Sequence, residues 1–297
     1  MLVSHQCRRG ASIGELLVQD SSALRDRQAR VRTYRTNLRI LMSKHSDYQD
    51  QFSRSGSRVV PTVVLVHGAW ADGSSWAAVT DQLQREGYTV VVAPNPLRGI
   101  DYDSRYLEDY LATIAGPIVL VGHSYAGMVI TAAAANNEHV SALVYVNAYI
   151  PVNGDTVMKL TASQPGSTLD PERSVTAVPL HDASGNTIDV DVYVKADYFG
   201  QLFVSGLEGA TVAALAANQR PLTLSSLSEA FTGIPGWTTI PSWAFVGTTD
   251  QVIPPAAQQA MAKQANARVV NVDAPHLSMV THPHAVADLI GEAVRGN

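Results

Sequence analysis

The chain has a single cysteine, Cys7, among 297 residues. That excludes an intramolecular disulfide framework and any cysteine-rich zinc site. No apolar run approaches the ~18 residues that a membrane-crossing helix takes, so no span is expected. Charged residues make up only 16% and hydrophobic ones 46%. This balance supports a packed core and argues against disorder as the main state. A net charge of −5 leaves no general electrostatic footprint for nucleic acid, so no such partner is expected. The length suits one α/β catalytic domain with an insertion as well as two domains of ~100–200 residues.

The charge is unevenly spread. Residues 1–58 carry 11 Lys+Arg against 5 Asp+Glu, while residues 59–297 carry 10 against 21. Apolar residues are sparse in the first segment, and Arg25, Arg27, Arg30, Arg32, Arg35 and Arg39 form a basic run of helical look, broken by Thr33, Thr36 and Asn37. The expectation is a solvated basic extension over 1–58, poorly ordered and appended to a catalytic domain over 59–297. An export signal needs an apolar stretch of ~7–15 residues. Glu15 interrupts the one candidate, Ala11 to Val18, and counts equally against a twin-arginine reading of Arg8-Arg9. A cytoplasmic location is therefore expected.

From Val59 the texture changes. Val59 to Val66 is a β-branched apolar run that reads as a strand buried on both faces. Ser74 to Glu86 is helical in period, with Trp76, Val79 and Leu83 on one face and Gly87 as a stop. The alternation continues: strand Tyr88–Ala93, helix Asp103–Ala115, strand Pro117–Val121, helix Ser124–Asn136, strand Val140–Val146. It pauses over about 151–235 and resumes with strand Ile240–Val246, helix Pro254–Ala265, strand Arg268–Val272 and helix Pro283–Val294. Strands alternating with helices imply βαβ units around a parallel sheet. The chemistry of such sheets lies beyond the strands' carboxyl ends. The loops after Val66, Val121, Val246 and Val272 are thus the places to look. In the pause, Ser184-Gly185-Asn186 reads as a hairpin tip. Tyr193, Tyr198, Phe199, Phe203 and Leu207 carry apolar bulk suited to a cap over the active edge or to a helical layer completing the core.

The loop after Val121 reads Gly122-His123-Ser124-Tyr125-Ala126-Gly127. A serine on a sharp strand-to-helix turn is lifted out of the sheet, provided its neighbours are small. Gly122, Ala126 and Gly127 are small, although Ala126 stands where G-x-S-x-G has its last glycine. The bland alternative is an incidental serine in a glycine-rich turn. A serine hydroxyl needs a base, and His276, just after Arg268–Val272, sits where one should follow. His282 and His284 are rivals, but Pro283 puts them at the border of the last helix. A carboxylate must orient the imidazole. Asp250 follows Ile240–Val246; Asp155, after the fourth strand, is the rival, and Asp273, three residues before the His, a poorer one. An oxyanion needs preorganised N–H donors, and the turn His67-Gly68-Ala69-Trp70 would aim the Ala69 amide inward, with the Tyr125 amide as the second donor. His123 is read as structural.

These motifs resemble the α/β-hydrolase superfamily. They comprise His67-Gly68-Ala69-Trp70-Ala71-Asp72-Gly73-Ser74-Ser75-Trp76, Gly122-His123-Ser124-Tyr125-Ala126-Gly127-Met128, Gly247-Thr248-Thr249-Asp250 and Pro275-His276-Leu277-Ser278-Met279-Val280-Thr281-His282-Pro283. The order Ser, Asp, His is the one found there. Within it they look like the branch of plant methylesterases and hydroxynitrile lyases with their bacterial esterase relatives, over roughly Val59 to Val294. The resemblance implies an α/β-hydrolase fold: a mostly parallel sheet with flanking helices and an inserted cap. It implies a serine hydrolase that needs no cofactor and no metal, with Ser124, Asp250 and His276 catalytic and the Ala69 and Tyr125 amides as the oxyanion hole. In the plant lyases a Lys follows the catalytic His and a Thr stands at the place of Gly68. Leu277 and Gly68 here favour ester hydrolysis.

The expected substrate is a small carboxylic ester or lactone, cleaved through an acyl-enzyme. A lyase or C–C hydrolase on the same triad, or a small-molecule receptor on the same fold, are the alternatives. A homodimer is left open, since nothing in the sequence reads on oligomeric state.

Overall fold

A computed structural model describes residues 60–296. The basic extension expected over 1–58 lies outside the described residues. Along the chain run β1 (Thr62–Val66), a 3₁₀ turn (Gly73–Trp76), α1 (Ala77–Arg85), β2 (Val90–Ala93), α2 (Ile100–Leu111), β3 (Ile118–His123), α3 (Ala126–Ala133) and β4 (Val140–Val146). The intervening stretch holds α4 (Val157–Ala162), β5 (Val175–His181), β6 (Thr187–Val194), α5 (Ala196–Phe203), α6 (Ala210–Ala217), β7 (Leu222–Thr223), α7 (Leu224–Ser228) and a 3₁₀ turn at Gly236–Thr238. Then come β8 (Ser242–Gly247), α8 (Pro255–Gln264), β9 (Arg268–Val272), α9 (Ser278–Thr281) and α10 (Pro283–Arg295).

Six strands form one sheet in the order β2-β1-β3-β4-β8-β9, every neighbouring pair parallel. β3 is buried along its whole length and β1 from Val63 onward. Helices cover both faces of such strands, which is why they read as unbroken Val, Leu and Ile runs rather than as an alternation. Each fully buried Val, Leu or Ile side chain contributes about 1.5–3 kcal/mol. The outer strand β9 shows exposed and half-buried residues instead. Parallel pairing carries every strand's carboxyl end to one edge of the sheet, and the loops leaving β1, β3, β4, β8 and β9 meet there.

Several boundaries differ from the expected ones, for local reasons. The helix expected from Asp103 begins at Ile100. Gly99 turns the chain at φ 125, and the Glu229 carboxylate, distant in sequence, accepts from the Ile100 and Asp101 amides at 2.7 and 2.9 Å. The helix expected from Ser124 begins at Ala126, because Ser124 has φ 53. The helix expected from Ser74 opens as a 3₁₀ turn from Gly73, whose Ser74 amide is capped by Asp72 at 2.9 Å. β1 starts at Thr62 rather than Val59, with Pro61 offering no amide to the ladder.

The stretch between β4 and β8 is more than helical. β5 and β6 form an antiparallel hairpin, which β7 extends to three strands. Its tip is held by Asp182, whose side chain accepts from the Ser184 and Asn186 amides, with Gly185 at φ 86.

Close approach of backbones makes Gly127 a stringent position. A Cβ there would lie 2.1 Å from the Tyr149 carbonyl oxygen and 3.0 Å from the Ala148 Cβ. Neither neighbour is a flexible side-chain tip, so α3 would have to move away from the end of β4. Gly127→Ala is expected to cost about 3 kcal/mol. For a domain of this size that corresponds to a fall in Tm of roughly 6–12 °C, checked by thermal unfolding; an unchanged Tm contradicts the packing.

Candidate active site

Three loops bring Ser124, His276 and Asp250 together. Ser124 follows β3 in the left-handed conformation (φ 53), which turns its hydroxyl out of the sheet. Gly122 and Gly68 make the turn feasible. A Cβ on Gly122 would lie 2.9 Å from the Ala126 carbonyl oxygen, and one on Gly68 would lie 2.7 Å from both the His123 carbonyl oxygen and the Ser124 Cβ. The Ser124 hydroxyl and His276 Nε2 are 2.9 Å apart, and His276 Nδ1 is 2.8 Å from Asp250 Oδ2. With Nδ1–H donating to the carboxylate, Nε2 is left as an acceptor for the serine proton. All three residues are buried.

Asp250 is held from several sides. Its Oδ1 accepts from the Val252 and Ile253 amides at 2.8 and 3.0 Å. Its Oδ2 accepts from Gln258 Nε2 at 2.8 Å and Asn147 Nδ2 at 3.0 Å, besides the imidazole. Five donors around one carboxylate satisfy it without solvent and fix its plane. Asn147 lies directly after β4 at φ 45, and its carbonyl accepts from the Ser278 hydroxyl at 2.6 Å. It therefore links the loops after β4, β8 and β9. Neither Asn147 nor Gln258 figured among the sequence candidates. The available signal for Asn147 was a polar residue immediately beyond the carboxyl end of a buried strand.

The imidazole of His276 is walled in. The Phe203 ring meets it edge-on at 5.2 Å between centroids, and the Leu277 amide donates to the Phe203 carbonyl at 2.8 Å. His123 Nε2–H donates to the His276 carbonyl at 2.9 Å. Burial, and then the neighbouring His276, hold His123 well below the ordinary histidine range, so it is a neutral tether. The rival residues stand apart from the imidazole. Asp155 pairs with Lys159 and the Val152 amide, Asp273 is exposed, and His282 Nδ1 meets the Thr281 hydroxyl.

The turn after β1 is braced by His67 and Asn95. The Asn95 amide donates to His67 Nε2 at 3.3 Å, Asn95 Nδ2 donates to the His67 carbonyl at 2.9 Å, and His67 Nδ1–H donates to the Gly68 carbonyl at 3.0 Å. Desolvation lowers the His67 pKa and keeps the ring neutral in this role. Trp70, at φ 57, is pinned by its ring nitrogen to the Val192 carbonyl at 2.7 Å and by its amide to the Arg220 carbonyl at 2.9 Å. Ala69 and Tyr125 both line the cavity that opens onto Ser124, and neither amide donates to an acceptor among the described residues.

That cavity has a volume of about 460 Å³. Its floor is Ser124 with Ala69 and Tyr125, and its walls come largely from the stretch between β4 and β8, through residues such as Val157, Leu169 and Leu227. No Asp, Glu, Lys or Arg among the described residues lines it. Among the described residues, no cluster of three or more His, Cys, Asp or Glu side chains is arranged to hold a metal ion, and no helix is long and apolar enough to cross a membrane.

A parallel sheet whose carboxyl edge brings a serine, an imidazole and a carboxylate into one hydrogen-bonded row has the architecture of the α/β-hydrolase class. Residues 63–289 match the model of the Alpha/beta hydrolase family, and the chain belongs to that family. The carbendazim hydrolyzing esterase of Nocardioides sp. (strain SG-4G) is 33% identical over 110 residues, 33% of this chain. That match spans 46% of the esterase's length. Polyneuridine aldehyde esterase superposes with a TM-score of 0.67 at 18% identity, over 79% of this chain and 99% of that one. A methylesterase from Arabidopsis superposes with a TM-score of 0.65 at 18% identity, over 80% and 100% of the two chains. At these identities the structural likeness is one of fold.

Proposed function

We propose that the protein is a serine hydrolase of small, uncharged carboxylic esters or lactones, working through an acyl-enzyme. The observation that carries this reading is the position of His276, with one ring nitrogen 2.9 Å from the Ser124 hydroxyl and the other 2.8 Å from Asp250. In the first step His276 Nε2 takes the Ser124 proton as Oγ bonds to the ester carbonyl carbon. The Ala69 and Tyr125 amides hold the oxyanion that forms. Asp250 stabilises the imidazolium. The imidazolium then protonates the leaving alkoxide as the ester C–O bond breaks. Water attacks the acyl-enzyme by the same route in reverse, releasing the acid. The esterase relatives support this chemistry by analogy.

The cavity supports the substrate class. An ionised substrate group moved into a pocket without a countercharge would lose its hydration uncompensated, at a cost of several kcal/mol. Apolar walls with Thr161, Gln164 and Ser167 as polar points suit a neutral ester with an apolar acyl or alcohol part.

Gly68 weighs against the lyase reading, since a threonine side chain there would collide with Ser124. Leu277 likewise offers no ammonium group to a cyanide leaving group. The test is to give the full chain a panel of neutral p-nitrophenyl esters, lactones and cyanohydrins. Ester or lactone turnover without cyanohydrin cleavage is expected. Cyanohydrin cleavage alone would establish the lyase, and tight binding without turnover would establish a receptor.

A further inference from the structure

Tyr125 carries more than an amide. Its ring is buried, and its hydroxyl donates to Asp103 Oδ2 at 2.9 Å. Asp103 lies in the first turn of α2, is 1% exposed, and has Tyr125 as its one side-chain hydrogen-bond partner among the described residues. Its carboxylate also accepts from the Arg98 amide, at 3.0 and 3.2 Å from the two oxygens, and is favoured by the Gly99 amide. An acid so placed is costly. Burial, with Glu229 adding to it, pushes the carboxyl up to about 6 in spite of the bonds from Arg98 and Tyr125. An apolar residue would fill the same space without that cost, so the carboxylate calls for an explanation beyond packing.

The surroundings tie this pair to both layers around the cavity. Ser226 on α7 is a second polar neighbour of the phenol, and its hydroxyl meets that of Thr223 at 2.5 Å. The Thr223 amide donates to the Leu97 carbonyl at 3.3 Å, and the Arg98 guanidinium pairs with Asp191 on β6. Leu222, Leu224 and Leu227, on either side of Thr223 and Ser226, line the cavity. The phenol of Tyr125 is thus clamped at the seam between α2 and the stretch that walls the pocket. Its backbone amide lies at the other end of the same residue, beside the nucleophile.

We propose that Asp103 is a positioning residue for the reaction: by holding the Tyr125 hydroxyl, it fixes the Tyr125 amide at the distance and angle that the oxyanion needs. The inference rests on the reading of Ser124 as nucleophile and of the Tyr125 amide as oxyanion donor. Hydrogen bonds to an oxyanion are sharply geometric, and loss of one donor costs ~10²–10³ in turnover. A donor merely released from its anchor should cost less, about tenfold. The ring face toward the cavity survives in phenylalanine, so ground-state binding should not change.

Four variants test this: Tyr125→Phe, Asp103→Ala, the two together, and Asp103→Asn. The readouts are kcat and KM for a neutral p-nitrophenyl ester and, independently of any ester turnover, the rate at which a fluorophosphonate labels Ser124. In labelling, the Ser124 Oγ–P bond forms, fluoride leaves, His276 takes the proton, and the phosphoryl oxygen occupies the same hole. Tyr125→Phe and Asp103→Ala are each expected to lower kcat and labelling rate about tenfold with KM within about twofold. The double variant should be no worse than either, because one interaction is removed twice. Asp103→Asn, which keeps an acceptor oxygen, should recover to within about threefold of wild type. Tyr125→Phe at wild-type rates in both readouts overturns the inference, as do additive losses in the double variant or a change confined to KM. Failure of wild-type labelling and turnover alike would instead overturn the reading of Ser124, and this inference with it. Should Asp103→Ala not fold, Tyr125→Phe and Asp103→Asn decide the matter, since both leave the turn at Arg98 an acceptor.

Discussion

Ser124→Ala is expected to lower turnover of a neutral ester by about a millionfold, His276→Ala to do the same, and the double variant to be no slower than either. The magnitude is that of removing a nucleophile or its base from a relay that works as a unit. His276 Nε2 faces the Ser124 hydroxyl at 2.9 Å, so in the proposed relay neither residue would act without the other. Residual catalysis would come from the Ala69 and Tyr125 amides and from binding. Ser124→Ala removes one oxygen and leaves the φ of 53 no harder to hold, so the unfolding curve should overlay that of wild type. Steady-state kinetics beside a thermal melt check both statements. A Ser124→Ala enzyme within a hundredfold of wild type would contradict the relay.

Asp250→Asn is expected to cost about 10⁴ in kcat, by a route set by the five donors around this carboxylate. Two are backbone amides on Oδ1, from Val252 and Ile253, and these cannot turn round. An asparagine keeps its carbonyl toward them and places its NH₂ at the Oδ2 position. That NH₂ then faces His276 Nδ1, which can only accept. The ring must carry its proton on Nε2, aimed at Ser124, and so cannot act as its base. The same NH₂ confronts the Gln258 and Asn147 amides, 2.8 and 3.0 Å from Oδ2, so stability should also fall, by about 1–3 kcal/mol for each donor left unsatisfied. KM should change little, because Asp250 does not line the cavity. Asp250→Asn with kcat within tenfold of wild type would show that the carboxylate neither sets the tautomer nor stabilises the imidazolium.

Those variants concern three residues that could be named before any coordinates, and the reason is physical. In a parallel sheet the loops that matter are the ones that follow strands. Val140–Val146 and Arg268–Val272 are strands at the very residues their apolar runs suggested. Ser124, Asp250 and His276 each stand within a few residues of such an end. The partners that hold them were much harder to read. Asn147 and Gln258 converge on Asp250 from 103 and 8 residues away, and no local pattern marks either as a carboxylate partner. The start of α2 was displaced for the same kind of reason, its cap being Glu229, 129 residues from Ile100. The stretch between β4 and β8 was legible as aromatic and apolar mass and as a hairpin tip. How it walls the cavity depends on packing between α4, α7 and the loops, which periodicity does not encode. The basic residues up to Arg39 and the extension that holds them lie outside the described residues.

In the proposed mechanism one hydroxyl, Ser124 Oγ, carries the reaction. The most direct measurement is titration of the full chain with a fluorophosphonate, following residual ester turnover and the mass of the labelled peptide together. One phosphonyl group per chain is expected, on Ser124, with turnover lost in proportion to labelling. Full turnover from protein labelled at Ser124, or turnover lost through labelling at another residue, would contradict it.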